Sequence, residues 1–140
     1  MAREKEKVVE LNPVVERVFA IKEEPALGRI YMTPMIYIEL GPREKRMLRG
    51  VEYDQLTIRD IQLHPSIQQC GILTDLVRYI LTIMKCQAVQ LEDVQSRVLL
   101  SKIQHSKLWQ PSSSNIAIGR ALRGQSYFRL YDSSQPFQLF

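Results

Sequence analysis

The chain has 140 residues, a formal charge of +4 and a pI near 9.2, with 45% hydrophobic and 24% charged residues, a balance that fits one soluble domain with an ordinary core. No apolar run is long enough to span a bilayer, and the start, Met1-Ala2-Arg3-Glu4-Lys5-Glu6-Lys7, has no apolar core of the kind a secretion signal needs. Two cysteines, Cys70 and Cys86, make neither a disulfide framework nor a metal site by spacing, so a reducing cytoplasm is expected.

The basic residues are scattered and are not interleaved with aromatics. This argues against a nucleic-acid partner and suits a phosphorylated small molecule or an acidic partner. Residues 1–10 read as a charged arm, 11–132 as a single domain and 133–140 as a tail or an extra strand.

Asn12-Pro13 offers an N-cap followed by proline at the first helical position. Val14, Val15, Val18 and Ile21 then keep helical spacing up to Lys22-Glu23-Glu24, and Pro25 stops the helix. Gly28 to Leu40 reads as one strand in which Pro34 marks an edge or a bulge. Gly41 to Arg46 is a turn, and Met47 to Asp54 a shorter strand paired with the first.

The stretch Leu56 to Leu63 is a strand whose apolar parity slips: Leu56 and Ile58 share one face, whereas Ile61 and Leu63 fall on the other. Either one residue is inserted between Ile58 and Ile61 as a β-bulge, or the strand is buried on both faces. After His64-Pro65, the turn Ser66 to Gly71 leads into a helix from Ile72 to Cys86. Leu73, Leu76, Val77, Ile80, Leu81 and Met84 form its apolar stripe. A glycine where a strand gives way to a helix start builds an anion cradle. The free N–H groups of the first turn and the helix dipole both favour phosphate.

Gln87 to Val94 is the next strand. A helix from Ser96, its N-cap, to Leu108 carries Val98, Leu99 and Ile103 inward. Pro111 to Asn115 is a loop, Ser126 to Tyr131 a strand, and Phe137 to Phe140 a candidate last strand. This order predicts an α+β or α/β domain whose twisted sheet is mixed and mostly antiparallel, with helices on both faces.

Gln68-Gln69-Cys70-Gly71-Ile72-Leu73, preceded by Asp60-Ile61-Gln62-Leu63-His64-Pro65, resembles the pyrophosphate-binding motif and acidic strand of the GNAT superfamily of N-acetyltransferases. Lys107-Leu108-Trp109 and Ser126-Tyr127-Phe128-Arg129-Leu130 are similar to later segments of that family. About half of the chain is covered. The short segment before Gly28 resembles the trimmed versions found in tailed phages, which implies a host-cytoplasm or virion setting.

The resemblance implies acetyl-CoA in a wedge between splayed strands and transfer of its acetyl group to a primary amine by direct attack. Main-chain groups of Ile61, Gln62 and Leu63 would hold the pantetheine. The turn Gln68, Gln69, Cys70, Gly71, Ile72, Leu73 and Thr74 would hold the pyrophosphate, with the Leu73 side chain turned to the core. Asp60 is the candidate base, a role that requires a partly buried setting; its other reading is an ion pair with Arg59, Arg78 or a lysine. His105 and Tyr127 compete for the acid role, against a surface histidine and a packed strand tyrosine.

Cys70 is either a thiol activated by the helix start or a space-filler. Val94-Gln95 stands where the family often has asparagine, and Gln104-His105 where it often has tyrosine. These departures imply the alternative, a catalytically inactive GNAT-fold binding or structural protein, such as a viral component. The apolar end, Gln135 to Phe140, suits a docking peptide, a terminal strand, or a contact in a homo-oligomer or larger assembly.

Overall fold

Asn12 opens the first helix of the computed structural model, which describes residues 11–68, 70–112, 116–117, 120–121 and 125–140. Its Oδ1 accepts the Val14 N–H at 2.9 Å, Pro13 sits in the first turn, and helix α1 runs Pro13–Ala20, with Val15 and Val18 buried. The helix ends at Ala20, before the acidic run expected to close it. The arm 1–10 lies outside the described residues.

Gly28 to Leu40 is a hairpin, not one strand. β1 (Arg29–Thr33) and β2 (Ile36–Leu40) pair antiparallel from Arg29↔Leu40 to Thr33↔Ile36. Pro34 therefore marks a turn rather than an edge or a bulge: it lacks the N–H a ladder needs, and the Thr33 Oγ1 accepts the Met35 N–H at 3.2 Å. Gly28 is required at the other end. Its φ is +85°, and a Cβ there would stand 1.9 Å from the Leu40 carbonyl oxygen.

The expected strand Met47 to Asp54 is likewise split by a tight turn. β3 (Glu44–Leu48) reverses at Arg49-Gly50 into β4 (Val51–Leu63). Both turn residues have positive φ, 53° and 81°, the conformation whose twist matches a two-residue hairpin. β3 pairs with the first part of β4 and β2 with the second.

After a 3₁₀ turn at Pro65–Ile67, helix α2 (Ile72–Arg78) continues into a π-helical turn, Tyr79–Ile83. The Met84 N–H donates to the Tyr79 carbonyl, five residues back, at 2.9 Å, so the regular helix stops short of the expected Cys86. The stripe faces inward as the periodicity requires: Leu76, Val77, Ile80 and Leu81 are buried, and Leu73 and Met84 pack against them half-buried. β5 (Ala88–Val94) follows, then α3 (Arg97–His105) with the Ser96 Oγ accepting the Leu99 N–H at 3.3 Å. Ile103 is buried, but Val98, expected inward, is 68% exposed.

β6 (Gln110–Pro111), β7 (Ile116–Ala117), β8 (Arg120–Ala121) and β9 (Gln125–Leu130) complete the strands. Pro111, placed in a loop by the sequence, thus pairs with Tyr127, and residues 113–115 of that loop lie outside the described ones. Among the described residues the main sheet has seven strands in the order β1-β2-β4-β5-β9-β6, with β3 alongside β4. It is open and mostly antiparallel, the parallel pair being β4 and β5. The domain is α+β, and α1, α2 and α3 feed one apolar cluster with Ile38, Leu40, Leu56, Ile58, Val89 and Leu91.

No helix among the described residues is long and apolar enough to cross a membrane. Residues 131–140 form no strand. Phe137, Leu139 and Phe140 pack against the chain's own core.

Candidate functional site

Parallel pairing between β4 and β5 covers Gln55↔Ala88 to Ile58↔Leu91 and goes no further, although β4 runs on to Leu63 and β5 to Val94. Each strand changes register where the pairing stops. On β4, Leu40 stands opposite Ile58 and Glu39 opposite Asp60, so Arg59 is the extra residue of a β-bulge. The parity slip read in the sequence is resolved by it. Ile61 faces Ile38 and Leu63 faces Ile36, on the same side as Ile58 and Leu56. The double-burial reading holds for the earlier half, where Gln55, Leu56, Thr57 and Ile58 are all buried.

β5 has its own irregularity, which sequence reasoning missed. Its register with β9 shifts between Leu91 and Val94, and Asp93 has φ of 59°. The buried Ser126 hydroxyl accepts the Asp93 N–H at 3.1 Å. The signal was present: Val89 and Leu91 share a parity that Val94 breaks, and aspartate tolerates the left-handed conformation better than most residues.

Between the parted strands lies a cleft of about 430 Å³, lined by Ile58, Asp60, Ile61, Gln62 and Leu63 of β4, by Leu91 to Val94 of β5, and by Gln68, Gln95, Ser96 and Leu99. Antiparallel pairing alternates the direction of the main chain. The His64 N–H donates to the Met35 carbonyl at 2.8 Å on the β2 side, so two residues back Gln62 also serves β2. The N–H and C=O groups of Ile61 and the N–H of Leu63 are left to the cleft. The Leu63 carbonyl accepts the Gln68 side chain at 3.1 Å.

Three residues after Gln68, which lines the cleft, the chain turns into α2 through Gly71, whose φ is +78° and whose missing Cβ would have nothing within 4 Å. The first helical bond runs from the Asp75 N–H to the Gly71 carbonyl at 3.0 Å. The N–H groups of Gly71, Ile72, Leu73 and Thr74 have no acceptor among the described residues. The turn is braced from behind, since the Asn12 side chain donates to the Cys70 carbonyl at 3.2 Å and its N–H to Asp75 Oδ2 at 3.0 Å. The Leu73 side chain packs against the core and leaves the bend open. Gln69 lies outside the described residues.

Asp60 is half-buried and lines both the cleft and a second hollow of about 560 Å³ at the tip of the β1–β2 hairpin. Its carboxylate accepts Gln62 Nε2 at 3.0 Å. The ion pairs weighed for it do not form among the described residues: Arg59 approaches Glu39 at 3.9 Å, and Arg78 meets Asp75 at 2.8 Å.

The two acid candidates stand apart from Asp60. His105 is exposed at the end of α3 with its Nδ1 2.8 Å from the Ser101 carbonyl, and it does not line the cleft. Tyr127 is buried on β9, where its hydroxyl donates to Gln125 at 2.6 Å and accepts from Gln104 at 3.3 Å. Cys70 is exposed, whereas burial pushes the Cys86 thiol up to about 11.

The arrangement thus combines a main-chain edge at Ile61 and Leu63, an open left-handed glycine before a helix and lining carboxylates, Asp60 beside the bulge and Glu92 and Asp93 on β5. No protein-family model matches the chain, and comparison with curated proteins returns no relative.

Proposed function

We propose that the chain is an acetyl-CoA-dependent N-acetyltransferase with a GNAT-type arrangement of strands, its helices α1, α2 and α3 packed on one face of the sheet rather than on both. The observation that carries this reading is the parting of β4 and β5 beyond Ile58 and Leu91, directly after the bulge at Arg59. The residues fit the ligand: a chain of amides pairs with the main-chain edge of Ile61 and Leu63 as an added strand would, and a pyrophosphate suits the open N–H groups from Gly71 to Thr74. When bound, acetyl-CoA supplies an activated thioester. Asp60, at the mouth of the cleft, accepts the proton of an incoming amine, directly or through water, as a nitrogen–carbon bond forms and the carbon–sulfur bond breaks.

The test is thermal unfolding with acetyl-CoA and with free CoA, followed by thiol release across an amine panel. A ligand at ~100 times its dissociation constant stabilises by about 2.7 kcal/mol. No shift at millimolar concentration sinks the proposal. A second reading, a GNAT-fold binding protein without catalysis, is favoured by two observations. His105 lies outside the cleft, and the Tyr127 hydroxyl is already engaged on both sides. A shift with no turnover selects it.

A further inference from the structure

We propose that the cavity beneath the C-terminal segment binds an organic monocarboxylate gripped by Arg129. This site is separate from the cleft and does not depend on its reading. Arg129 lies on β9 opposite Val89 and is 4% exposed. Its Nη1 donates to the main-chain carbonyls of Gln138 at 2.6 Å and Leu139 at 3.4 Å. The guanidinium lies over the rings of Trp109 and Phe137, 5.7 and 5.2 Å from their centroids. None of these partners is negative, and Arg129 forms no ion pair among the described residues.

A buried cation is costly; burial lowers its pKa, opposed by the charge of Asp132, which makes no ion pair with it among the described residues. The donors left over are specific ones. Nε is buried and has no acceptor, and Nη2 has none among the described residues either. These two N–H groups point the same way and form the side-on fork that takes both oxygens of one carboxylate.

The cavity that Arg129 lines measures about 390 Å³. That is many times the ~30 Å³ share of a water molecule, so the anion carries a body. Leu108, Tyr131, Pro136 and Phe137 offer it apolar walls, and Thr82 closes one side. Asp132 is also on the wall. Its carboxylate accepts from the Ser134 N–H and hydroxyl at 2.9 and 2.6 Å, which hold its pKa below the ordinary range. This exposed carboxylate opposes a phosphate dianion more than a monocarboxylate.

Trp109, the single tryptophan of the chain, donates its Nε1 to the Leu139 carbonyl at 2.7 Å and so reports on this corner. The full-length chain is titrated with sodium hexanoate at constant ionic strength while Trp109 fluorescence is followed. We expect a saturable change with a dissociation constant on the order of 1 mM, and none with hexanol or hexylamine. Arg129→Lys keeps the charge and loses the fork, so hexanoate affinity falls at least ~10-fold. Thr82→Phe fills the cavity with Arg129 intact and abolishes the response, which decides the matter if Arg129→Lys does not fold. The proposal is overturned by the absence of saturation, by an equal response to hexanol or sodium chloride, or by unchanged affinity in the folded variants.

Discussion

Ile58 pairs with Leu91 across the parallel strands, and this is the last pair before β4 and β5 separate. The extra residue that follows, Arg59, turns the β4 main chain while keeping Ile61 and Leu63 on the core side with Ile58. Core packing and an open edge are thereby obtained from one irregularity.

Deleting Arg59 tests whether the bulge is what opens the edge. Ile61 would then follow Ile58 by two residues, so it and Leu63 stay on the core side opposite Ile38 and Ile36, and we expect the variant to fold but to lose the CoA-dependent thermal shift as the bulge disappears. Arg59→Ala keeps the residue count and removes a loose ion pair with Glu39 and a long hydrogen bond to the Leu27 carbonyl, so its cost is about 1 kcal/mol and the shift is retained. A CoA-dependent shift retained in the deletion variant would show that the bulge does not open the edge.

Gly71 separates strain from ligand binding. Gly71→Ala places a side chain at φ +78° in open space, costing about 1 kcal/mol from the left-handed backbone while retaining stabilisation by CoA. Gly71→Asp adds a negative charge at the exposed amides and should abolish the CoA-dependent thermal shift. A normal shift in the aspartate variant removes the pyrophosphate from this turn.

For Asp60, the structure shows one side-chain hydrogen bond, from Gln62, and no ion pair among the described residues. Asp60→Asn should therefore change stability by no more than about 1 kcal/mol. As the proton acceptor its loss should slow acetyl transfer by about 10² to 10⁴-fold with the CoA thermal shift preserved. Steady-state rates on a responsive amine check this, and an unchanged rate assigns the base elsewhere.

Cys86 makes a pH prediction with a definite sign. Its thiol is raised from 9.0 to about 11 in the folded chain, chiefly by burial, so the folded state favours the protonated form. The associated stability is present below the unfolded pKa and disappears as pH rises from about 9 through 11, by up to about 3 kcal/mol. Unfolding measured across this range should fall more steeply for the native chain than for Cys86→Ala. In the same chain iodoacetamide should modify the exposed Cys70 well before Cys86.

Much of the local structure was legible because it depends on neighbours in sequence. The Asn12-Pro13 start, the inward stripe of α2, the glycine before it and the parity slip in β4 all follow from 3.6- and 2-residue periods and from backbone sterics. Turns inside long apolar stretches were not: Pro34 and Arg49-Gly50 reverse the chain within segments whose β-forming residues read as continuous strands. Val98 fell on the wrong side because Val98, Leu99 and Leu100 are consecutive and spread over more than half a turn, so they cannot all face inward; Leu99 and Leu100 pack with Ile103 and Val98 is left out.

The sequence by itself determined the elements around Gly71 and the residue types that would meet a phosphate, since these are set within a few residues of chain. Only the tertiary structure decided that β4 and β5 part after four pairs, that Asp60 stands in the resulting opening while His105 and Tyr127 stand away from it, and that the tail folds over Arg129. Those relations join residues tens of positions apart. They are fixed by strand register and by how apolar surface is shared among the helices, which no local pattern encodes.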